Sequence, residues 1–426
     1  MSNKTELVRA SLAKRYAREK RFRFYGLASI VLSLAFLAIL LSTIFMQGLP
    51  AFTQTYMKLE VSLSAEALGV DANATPEQLR AASYDTVVMN ALNARFPGVT
   101  DRKQKIALKK LVSSSAAYDL QKQVMENPKL IGSQQTLWVM ADDDIDTYMK
   151  GNIDRNQPEA DRRIKDFQLA WIDDLEAKNE IERRFNVPFF TSGDSREPEQ
   201  AGILSALMGS FYTMLVTMIL SFPIAVAAAI YLEEFAPKNN SLVDFIEVNI
   251  NNLAAVPSIV FGLLGLAVFI QFFGVPRSTP LVGGLVLALI TLPTIIIASR
   301  AALKSVPPSI RQAAYGMGAS RVQTVFHHTL PLAMPGILTG TIIGMAHALG
   351  ETAPLLMIGM VAFIVDVPHG ITDPAAILPV QIYLWSDSPE RAFTEKTSAA
   401  ILVLLFFLVM MNLLAVLLRK RFERRW

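Results

Sequence analysis

The chain has 426 residues, of which 52% are hydrophobic and only 18% are charged, and its formal net charge is +3. This composition is too apolar for an ordinary soluble domain or a disordered chain, and it indicates a membrane protein. The absence of cysteine excludes disulfides, thiolate zinc sites and a cysteine nucleophile. The four histidines show no metal-ligand spacing, and no strongly basic surface suggests a nucleic-acid partner.

Six charge-poor windows are long enough to cross a bilayer, because a membrane helix needs about 20 apolar residues. They are centred on 27–46 or lie between Glu199 and Glu233, between Glu247 and Arg277, between Arg277 and Arg300, from Pro335 to about Val365, and between Lys396 and Arg419. The first window is either a signal peptide or a membrane anchor. Its apolar core is long and no small-residue cleavage site follows, so we predict a retained transmembrane helix over 25–48. The predicted fold class is an all-α membrane protein with six transmembrane helices.

Positive side chains are concentrated in the N-terminus 1–24, in the loop between the fourth and fifth spans, and in the tail 419–426. Six spans place these three segments on one side of the membrane. The positive-inside rule makes that side cytoplasmic, so we predict that both termini are cytoplasmic.

Residues 51–200 carry 19 of the 40 basic and 24 of the 37 acidic residues, and they form a charged block between the first two spans. We predict a mostly helical, periplasmic insert domain over 51–198. Thr75-Pro76-Glu77-Gln78 is typical of a capping box, and Ile164, Phe167, Trp171 and Leu175 fall on one face of a helix near 161–185. Two interpretations stay open: a docking or sensing module, or a solvated insert without a direct role in transport.

The acidic run Asp142-Asp143-Asp144-Ile145-Asp146 also has two interpretations. It resembles part of a calcium loop, but the glycine and the distal glutamate of such a loop are missing. The alternative is the start of a helix, where acidic side chains are favourable.

Residues 200–418 are predicted to form a five-helix core, with an informative loop at 302–334. Two short helices are expected there, the first after Pro307-Pro308 and the second around Val325, ending before Pro331. Gly318 suits the left-handed turn that ends the first helix. The small side chains of Ala313 and Ala314 let another backbone approach closely. A helix–glycine–helix unit of this kind suits a partner that pushes on the membrane domain.

This loop resembles the EAA loop of ABC importer permeases. In that family Glu-Ala-Ala is followed, after three residues, by Gly and, after nine more, by Ile-x-Leu-Pro. Gln312-Ala313-Ala314, Gly318 and Leu330-Pro331 stand at the same spacing, with Gln312 in place of the acid and His328 in place of isoleucine. The resemblance implies an ATPase-docking loop made by Arg311, Gln312, Ala313, Ala314, Gly318, Leu330 and Pro331.

Three further stretches resemble phosphate-importer permeases of the PstA type: Tyr231–Pro237, Val256–Leu263 and Gly350–Leu356. This resemblance covers about residues 189–426 and the N-terminal anchor, and it gives the insert no role. It implies a permease of the bacterial inner membrane that imports inorganic phosphate. The implied partners are a second homologous permease, a dimer of ATP-binding subunits and a periplasmic phosphate-binding protein.

No G-x-x-x-x-G-K-[ST] loop is present, so the chain cannot hold nucleotide phosphates in that way. We therefore expect a transporter subunit and not an enzyme, with no catalytic residue, metal or cofactor of its own and with ATP bound by a partner chain. The alternatives are an ABC permease for another oxyanion (sulfate, molybdate or phosphonate), a stand-alone secondary transporter or channel, and a membrane-anchored sensor. No clear internal repeat supports a secondary transporter, and no output domain supports a sensor.

Glu351 is the one acidic residue well inside an apolar window, where a charge costs at least about 2.5 kcal/mol and normally faces a cavity or a partner. His347 lies one helical turn before it, where the PstA-type family usually has arginine. We predict that Glu351, His347 and Thr352 line the translocation pathway. The alternative is that Glu351 pairs with a cation of the second permease and only fixes helix packing.

Overall fold

The computed structural model describes residues 2–70, 75–237 and 239–422. The helices of the first half are α1 (Ser2–Gly48), α2 (Ala65–Leu68), α3 (Pro76–Ala81), α4 (Tyr84–Arg95), α5 (Arg102–Lys109), α6 (Ser115–Glu126), α7 (Asp143–Met149), α8 (Asp166–Ala177) and α9 (Val187–Thr191). Those of the second half are α10 (Leu204–Ile230), α11 (Ser241–Ala254), α12 (Ser258–Leu264), α13 (Pro280–Lys304), α14 (Pro308–Gly316), α15 (Arg321–Thr324), α16 (Leu330–Gly350), α17 (Ala353–Met357), α18 (Leu378–Ser386) and α19 (Ala392–Phe422). Wider π-helical turns extend α10, α12 and α15 at Tyr231–Phe235, Gly265–Phe272 and Val325–Thr329.

Five helical stretches in the described chain are long and apolar enough to cross a membrane, and a sixth exists only if one bent pair of helices counts as a single span. The bent pair is α11 and α12, which meet at an angle of 104° in the region of the third predicted span, between Glu247 and Arg277. Pro257 explains the break, because proline has no N–H to donate and disfavours a helical conformation of the residue before it. The third predicted span is therefore not one straight helix, and it counts as a span only if the bent pair crosses the membrane as a unit.

The fifth predicted span, from Pro335 to about Val365, is misplaced at both ends. The helix already runs through the π-helical turn Val325–Thr329 into α16, and it ends at Gly350. Pro331 has no N–H to donate within this continuous helix, and the wider π-helical turn Val325–Thr329 lies directly before it. The expectation that the second loop helix ends before Pro331 is thus wrong as well.

Helix α13 lies at the centre of the bundle and packs against both α10 and α16. Glycines allow the close approach: a Cβ on Gly284 would lie 2.5 Å from the side chain of Val216, and a Cβ on Gly340 would lie 2.2 Å from that of Ala298. Small residues at such crossings are typical of membrane helices, which gain their stability from van der Waals packing.

The block between α1 and α10 contains a three-stranded antiparallel sheet in the order β2 (Gln134–Met140), β1 (Thr53–Ser62), β3 (Ile181–Phe185). The expectation of an all-α fold is therefore wrong for the insert, although helices provide most of its elements. Met57, Leu59 and Val61 of β1 alternate with more exposed residues and enter the insert's hydrophobic core, which is the pattern of a half-buried strand.

Two local predictions for the insert have different outcomes. Thr75 and Gln78 form the predicted capping box at the start of α3. The helix expected near 161–185 is limited to α8, because the chain turns after Ala177 and forms β3.

Polar contacts join the insert to the end of the bundle where α10 and α19 begin. Lys150 Nζ lies 2.6 Å from Glu395 Oε1 of α19, and Arg163 Nη1 lies 2.9 Å from Glu390 Oε2. In the segment between the insert and α10, Asp194 Oδ1 accepts a hydrogen bond of 2.9 Å from Trp385 Nε1. The insert is therefore fastened to the first turn of the last helix and to the loop before it.

Candidate functional site

The loop between α13 and α16 lies at the end of the bundle opposite the insert, because α10 and α13 both run from the insert end to this loop. Its first helix, α14, begins at Pro308 as expected from Pro307-Pro308. Gly318 has a φ of +85°, and Ala319 N–H donates to Ala314 O over 3.0 Å. This 6→1 hydrogen bond is the mark of a Schellman-type helix end, and it confirms the predicted left-handed turn. Ser320 and Gln323 then form a capping box that starts α15.

Arg311 of α14 binds the ends of two membrane helices. Its Nη2 lies 2.6 Å from Glu234 Oε1, in the π-helical turn that ends α10. Its guanidinium also donates to Leu303 O over 3.0 Å and to Val306 O over 2.9 Å, near the end of α13. Glu234 is only 7% exposed, so it depends on Arg311 for its charge compensation. Arg311 therefore links α14 to the ends of α10 and α13.

Most of the exposed side chains on the outer surface of the loop are apolar. Gln312 and Ala313 are exposed, whereas Ala314 is 2% exposed and packs inside the chain. Of the two alanines, Ala313 is therefore the one whose small side chain lies on the outer surface of the loop. Apolar side chains with exposed fractions between 45% and 78% surround these two residues: Tyr315, Met317, Val322 and Phe326. Leu330 and Pro331, at the start of α16, are half-buried.

Glu351 lies beyond the end of α16 and not inside a straight span, which corrects its predicted position. Its backbone is extended, with φ −81° and ψ 104°, and it separates α16 from α17. The predicted neighbour His347 is confirmed as a contact, with Nε2 at 3.1 Å from Glu351 Oε1. Thr352 stands at the N-cap of α17, but its hydroxyl makes no capping hydrogen bond.

The bend at Glu351 is packed tightly by α12. A Cβ on Gly262 of α12 would lie 2.7 Å from Pro354 Cα, so the two short helices α12 and α17 touch at backbone level. Helix α16 has 21 residues and a rise of about 1.5 Å each, which puts Glu351 about 30 Å from the docking loop. The two predicted sites therefore lie at opposite ends of the same helix.

Comparisons with known proteins give the family. A family of binding-protein-dependent transport system inner membrane components matches residues 201–426, more than half of the chain. The chain belongs to this family. Residues 9–159 of the permease match a separate domain of unknown function, DUF3333, which covers most of α1 and most of the insert.

Curated relatives of the permease include PstA-type proteins, and the resemblance to that type is thereby confirmed. Phosphate transport system permease protein PstA 1 of Mycobacterium tuberculosis is 34% identical over 232 residues, 54% of this chain and 74% of that protein. The probable ABC transporter permease protein YqgI of Bacillus subtilis is 36% identical over 39% of this chain. The matched part of this chain spans only 56% of the length of YqgI. Among solved structures, an inward-facing MetNI methionine ABC transporter matches with 18% identity and a TM-score of 0.43, over 52% of this chain and 97% of that one.

Sequence reasoning missed Glu234 as a partner of the docking loop, although it quoted the stretch that contains this residue. A detectable signal existed: two acids, Glu233 and Glu234, follow directly after a long apolar run. Glu233 lies 3.7 Å from Arg300, which also contacts Glu247 at 2.5 Å. The basic partners of these two acids lie near the end of α13 and in α14.

Proposed function

We propose that this permease is the transmembrane subunit of an ATP-driven importer of inorganic phosphate. The observation that carries the proposal is the 34% identity to a phosphate transport permease over 74% of that protein's length. The permease would form the translocation pathway with a second homologous permease. A periplasmic phosphate-binding protein would deliver the anion, and both termini would lie in the cytoplasm on the inner face of the bacterial inner membrane.

The energy source in this proposal is a separate dimer of ATP-binding subunits that docks on α14 and α15. The exposed side chains of Gln312, Ala313, Tyr315 and Met317 form the proposed contact face. Arg311 is better placed to transmit a movement of α14 to the membrane helices than to contact the ATPase, since its guanidinium is bound to Glu234 and to the end of α13. ATP binding would close the dimer and move α14, and the membrane helices would follow.

Reconstitution tests this function. The permease is co-purified with a candidate second permease and ATPase, placed in liposomes with the binding protein outside, and supplied with ATP inside. We expect ATP-dependent uptake of phosphate that excess sulfate does not inhibit. Uptake of sulfate, molybdate or phosphonate in place of phosphate would support an importer for another oxyanion. Phosphate uptake without ATP or without the ATPase would contradict the proposal and support a stand-alone transporter.

Glu351 has a proposed role in selecting the anion. Phosphate near neutral pH still carries protons, which a carboxylate accepts as hydrogen bonds, whereas sulfate has none to offer and is repelled. Support comes from its position beside a helix break, where Glu351 is 20% exposed and its partner His347 is 56% exposed. Both groups are therefore open to a ligand or to the partner permease.

The variant Glu351→Gln distinguishes a role of this residue in anion selection from a role in helix packing. Loss of a charge-assisted hydrogen bond of about 1.5–3 kcal/mol predicts a roughly tenfold to hundredfold fall in phosphate transport, together with weaker exclusion of sulfate. Asp387→Asn, an exposed acid at the same end of the bundle, serves as the control and should transport normally. If Glu351→Gln retains both the uptake rate and the sulfate rejection, the residue only fixes helix packing.

A further inference from the structure

A cleft of about 380 Å³ lies between the insert and the membrane helices α1 and α19. Met46 and Gln47 line it from the end of α1, and Thr394 lines it from the start of α19. The two helices touch at this level, because a Cβ on Gly48 would lie 2.9 Å from the backbone N of Ala399. The apolar stretches of both helices continue away from the insert, so the cleft lies at the boundary between membrane and water.

Arg162 gives this cleft a buried positive charge. It follows the turn Glu159–Asp161, lines the cleft, and has a side chain that is only 5% exposed. Its Nη2 pairs with Asp166, whose side chain is 67% exposed and remains largely solvated. None of the residues that the structure describes accepts a hydrogen bond from the buried Nε or Nη1 of Arg162. A buried guanidinium with unused donors is costly, and it indicates an acceptor that does not come from the chain itself.

The other charged residues of the cleft have both signs. Glu395 is paired with Lys150 at 2.6 Å, and Arg163 is paired with Glu390 at 2.9 Å. Three further lining residues have no partner of opposite charge within 4.0 Å in the described parts of the chain: Arg391, Asp143 and Asp161. With Arg162, the cleft therefore offers two cations and two anions to a ligand.

Asp143 belongs to the acidic run at the start of α7. Asp142 caps this helix by accepting a hydrogen bond of 3.2 Å from Asp144 N–H, so the interpretation of the run as a helix start is confirmed. Asp143 follows at the first helical position and is half-buried. The cap does not use the carboxylate of Asp143, which is therefore free to accept hydrogen bonds in the cleft.

The surroundings of the cleft favour a lipid as its occupant. Met46 is 74% exposed and belongs to the apolar stretch of α1, so acyl chains can pack directly beside the cleft. Arginine suits phosphate because its planar guanidinium donates parallel hydrogen bonds, and a primary ammonium group donates three that carboxylates accept. Free phosphate would match the arginines but would leave Asp143 and Asp161 without a partner.

We propose that this cleft binds the headgroup of a membrane phospholipid that carries a primary ammonium group. Arg162 and Arg391 bind the phosphate of this lipid. Asp143 and Asp161 accept hydrogen bonds from its ammonium group. Because the cleft is lined by the insert and by two membrane helices, the bound lipid fastens the insert to the membrane surface.

Native mass spectrometry of the delipidated, full-length permease in detergent tests the site. We expect the first bound phosphatidylethanolamine to have an affinity roughly fivefold or more above that of phosphatidylcholine, whose quaternary ammonium donates no hydrogen bond, or of phosphatidylglycerol, which has no ammonium. Equal first-site affinities for the three lipids would overturn the proposal and would leave the donors of Arg162 to water.

Soluble competitors separate a lipid from free phosphate. Glycerophosphoethanolamine has the same headgroup without acyl chains, and inorganic phosphate has neither the chains nor the ammonium group. We expect that neither compound displaces phosphatidylethanolamine at millimolar concentration, because neither gains from packing of acyl chains beside α1. Displacement of the lipid by inorganic phosphate would overturn the lipid assignment and would identify the cleft as a site for the free anion.

Two arginine variants locate the phosphate. Arg162→Gln should weaken first-site binding of phosphatidylethanolamine about tenfold and should preserve the fold, because Asp166 stays solvated. Arg391→Gln changes an exposed side chain and should also weaken binding. The control is Arg155→Gln, since Arg155 is 57% exposed, pairs with Asp173 and lies outside the lining of the cleft. Unchanged affinity in a folded Arg162→Gln variant would contradict the assignment, as would unchanged affinity in Arg391→Gln if the first variant does not fold.

The double variant Asp143→Asn with Asp161→Asn locates the ammonium group. It should remove the preference for phosphatidylethanolamine over phosphatidylcholine and should leave the affinity for phosphatidylcholine unchanged, because the arginines still bind the phosphate. Asp173→Asn, an acid of the insert outside the lining, should keep the preference. A preference that persists in the double variant would contradict the placement of the ammonium group.

Discussion

Arg311 shows how a residue can be recognised from sequence while its contacts are not. Its place beside Gln312-Ala313-Ala314 assigned it to a docking loop. In the structure its guanidinium faces inward and pairs with Glu234, 77 residues earlier in the chain. Sequence spacing describes only neighbours along one helix, so it contained no information on this ion pair.

The variant Arg311→Met tests whether this pair holds the loop on the bundle. It leaves the Glu234 carboxylate buried without a cation, which should destabilise the permease by about 3 kcal/mol. The double variant Arg311→Met with Glu234→Gln removes both charges and should recover most of that loss. Thermal unfolding of the purified protein measures both effects. Equal Tm values for the single variant and the unmodified protein would contradict the role of the pair.

At the scale of elements, the turn between α14 and α15 requires a left-handed backbone conformation. Gly318 has a φ of +85°, where a side chain at Cβ is strained even though no atom lies within 4 Å of that position. The turn sets the angle between α14 and α15. In the proposed function, the coupling between an ATPase and the membrane helices would therefore depend on the backbone conformation of Gly318.

Gly318→Ala should cost about 1–2 kcal/mol through backbone strain and should lower ATP-dependent uptake more than it lowers ATP hydrolysis. Gly316→Ala is the matched control, since Gly316 ends α14 with no atom within 4 Å of an added Cβ and without a positive φ. The control should be neutral or slightly more stable, because alanine favours helix. Thermal unfolding and uptake in liposomes check both variants, and similar behaviour of the two would show that the left-handed turn is not required.

Much of the helical architecture was predictable, because apolar length and charge position are local properties. The start of α14, the turn at Gly318 and the capping box at Thr75 follow from side-chain chemistry within a few residues. Two of the errors have a shared cause. The bend at Pro257 and the continuous helix through Pro331 depend on how a proline is accommodated by the surrounding backbone. The strand β1 was missed although Met57, Leu59 and Val61 have the period of two that identifies a strand.

For the whole molecule, the contact between the insert and the bundle is the main finding that sequence did not suggest. Lys150 is 1% exposed and contacts both Asp146 of its own helix and Glu395 of α19, each at 2.6 Å. Asp146 also accepts the N–H of Thr55 in β1, over 2.8 Å. One lysine thus connects the insert's helix α7 to the last membrane helix and, through Asp146, to the sheet.

Replacing this lysine should loosen the insert from the bundle. Lys150→Met leaves Asp146 and Glu395 buried without their shared cation, with an expected cost of about 3–5 kcal/mol. Lys109→Met is the control, since its pair with Asp85 is 63% and 72% exposed and contributes little. Limited proteolysis of the insert, together with thermal unfolding, measures the effect. Proteolysis at equal rates in the two variants would contradict a clamp at Lys150.

The sequence by itself determined that the chain is a membrane permease. Apolar runs of bilayer length and the spacing of the predicted docking motif can both be recognised from residues that are close together in the chain. Tertiary structure decided which charges meet. Arg311 with Glu234 and Lys150 with Glu395 join residues that are far apart in the chain. Such pairs form only when packing buries both partners, since a buried charge is stable only beside a compensating one.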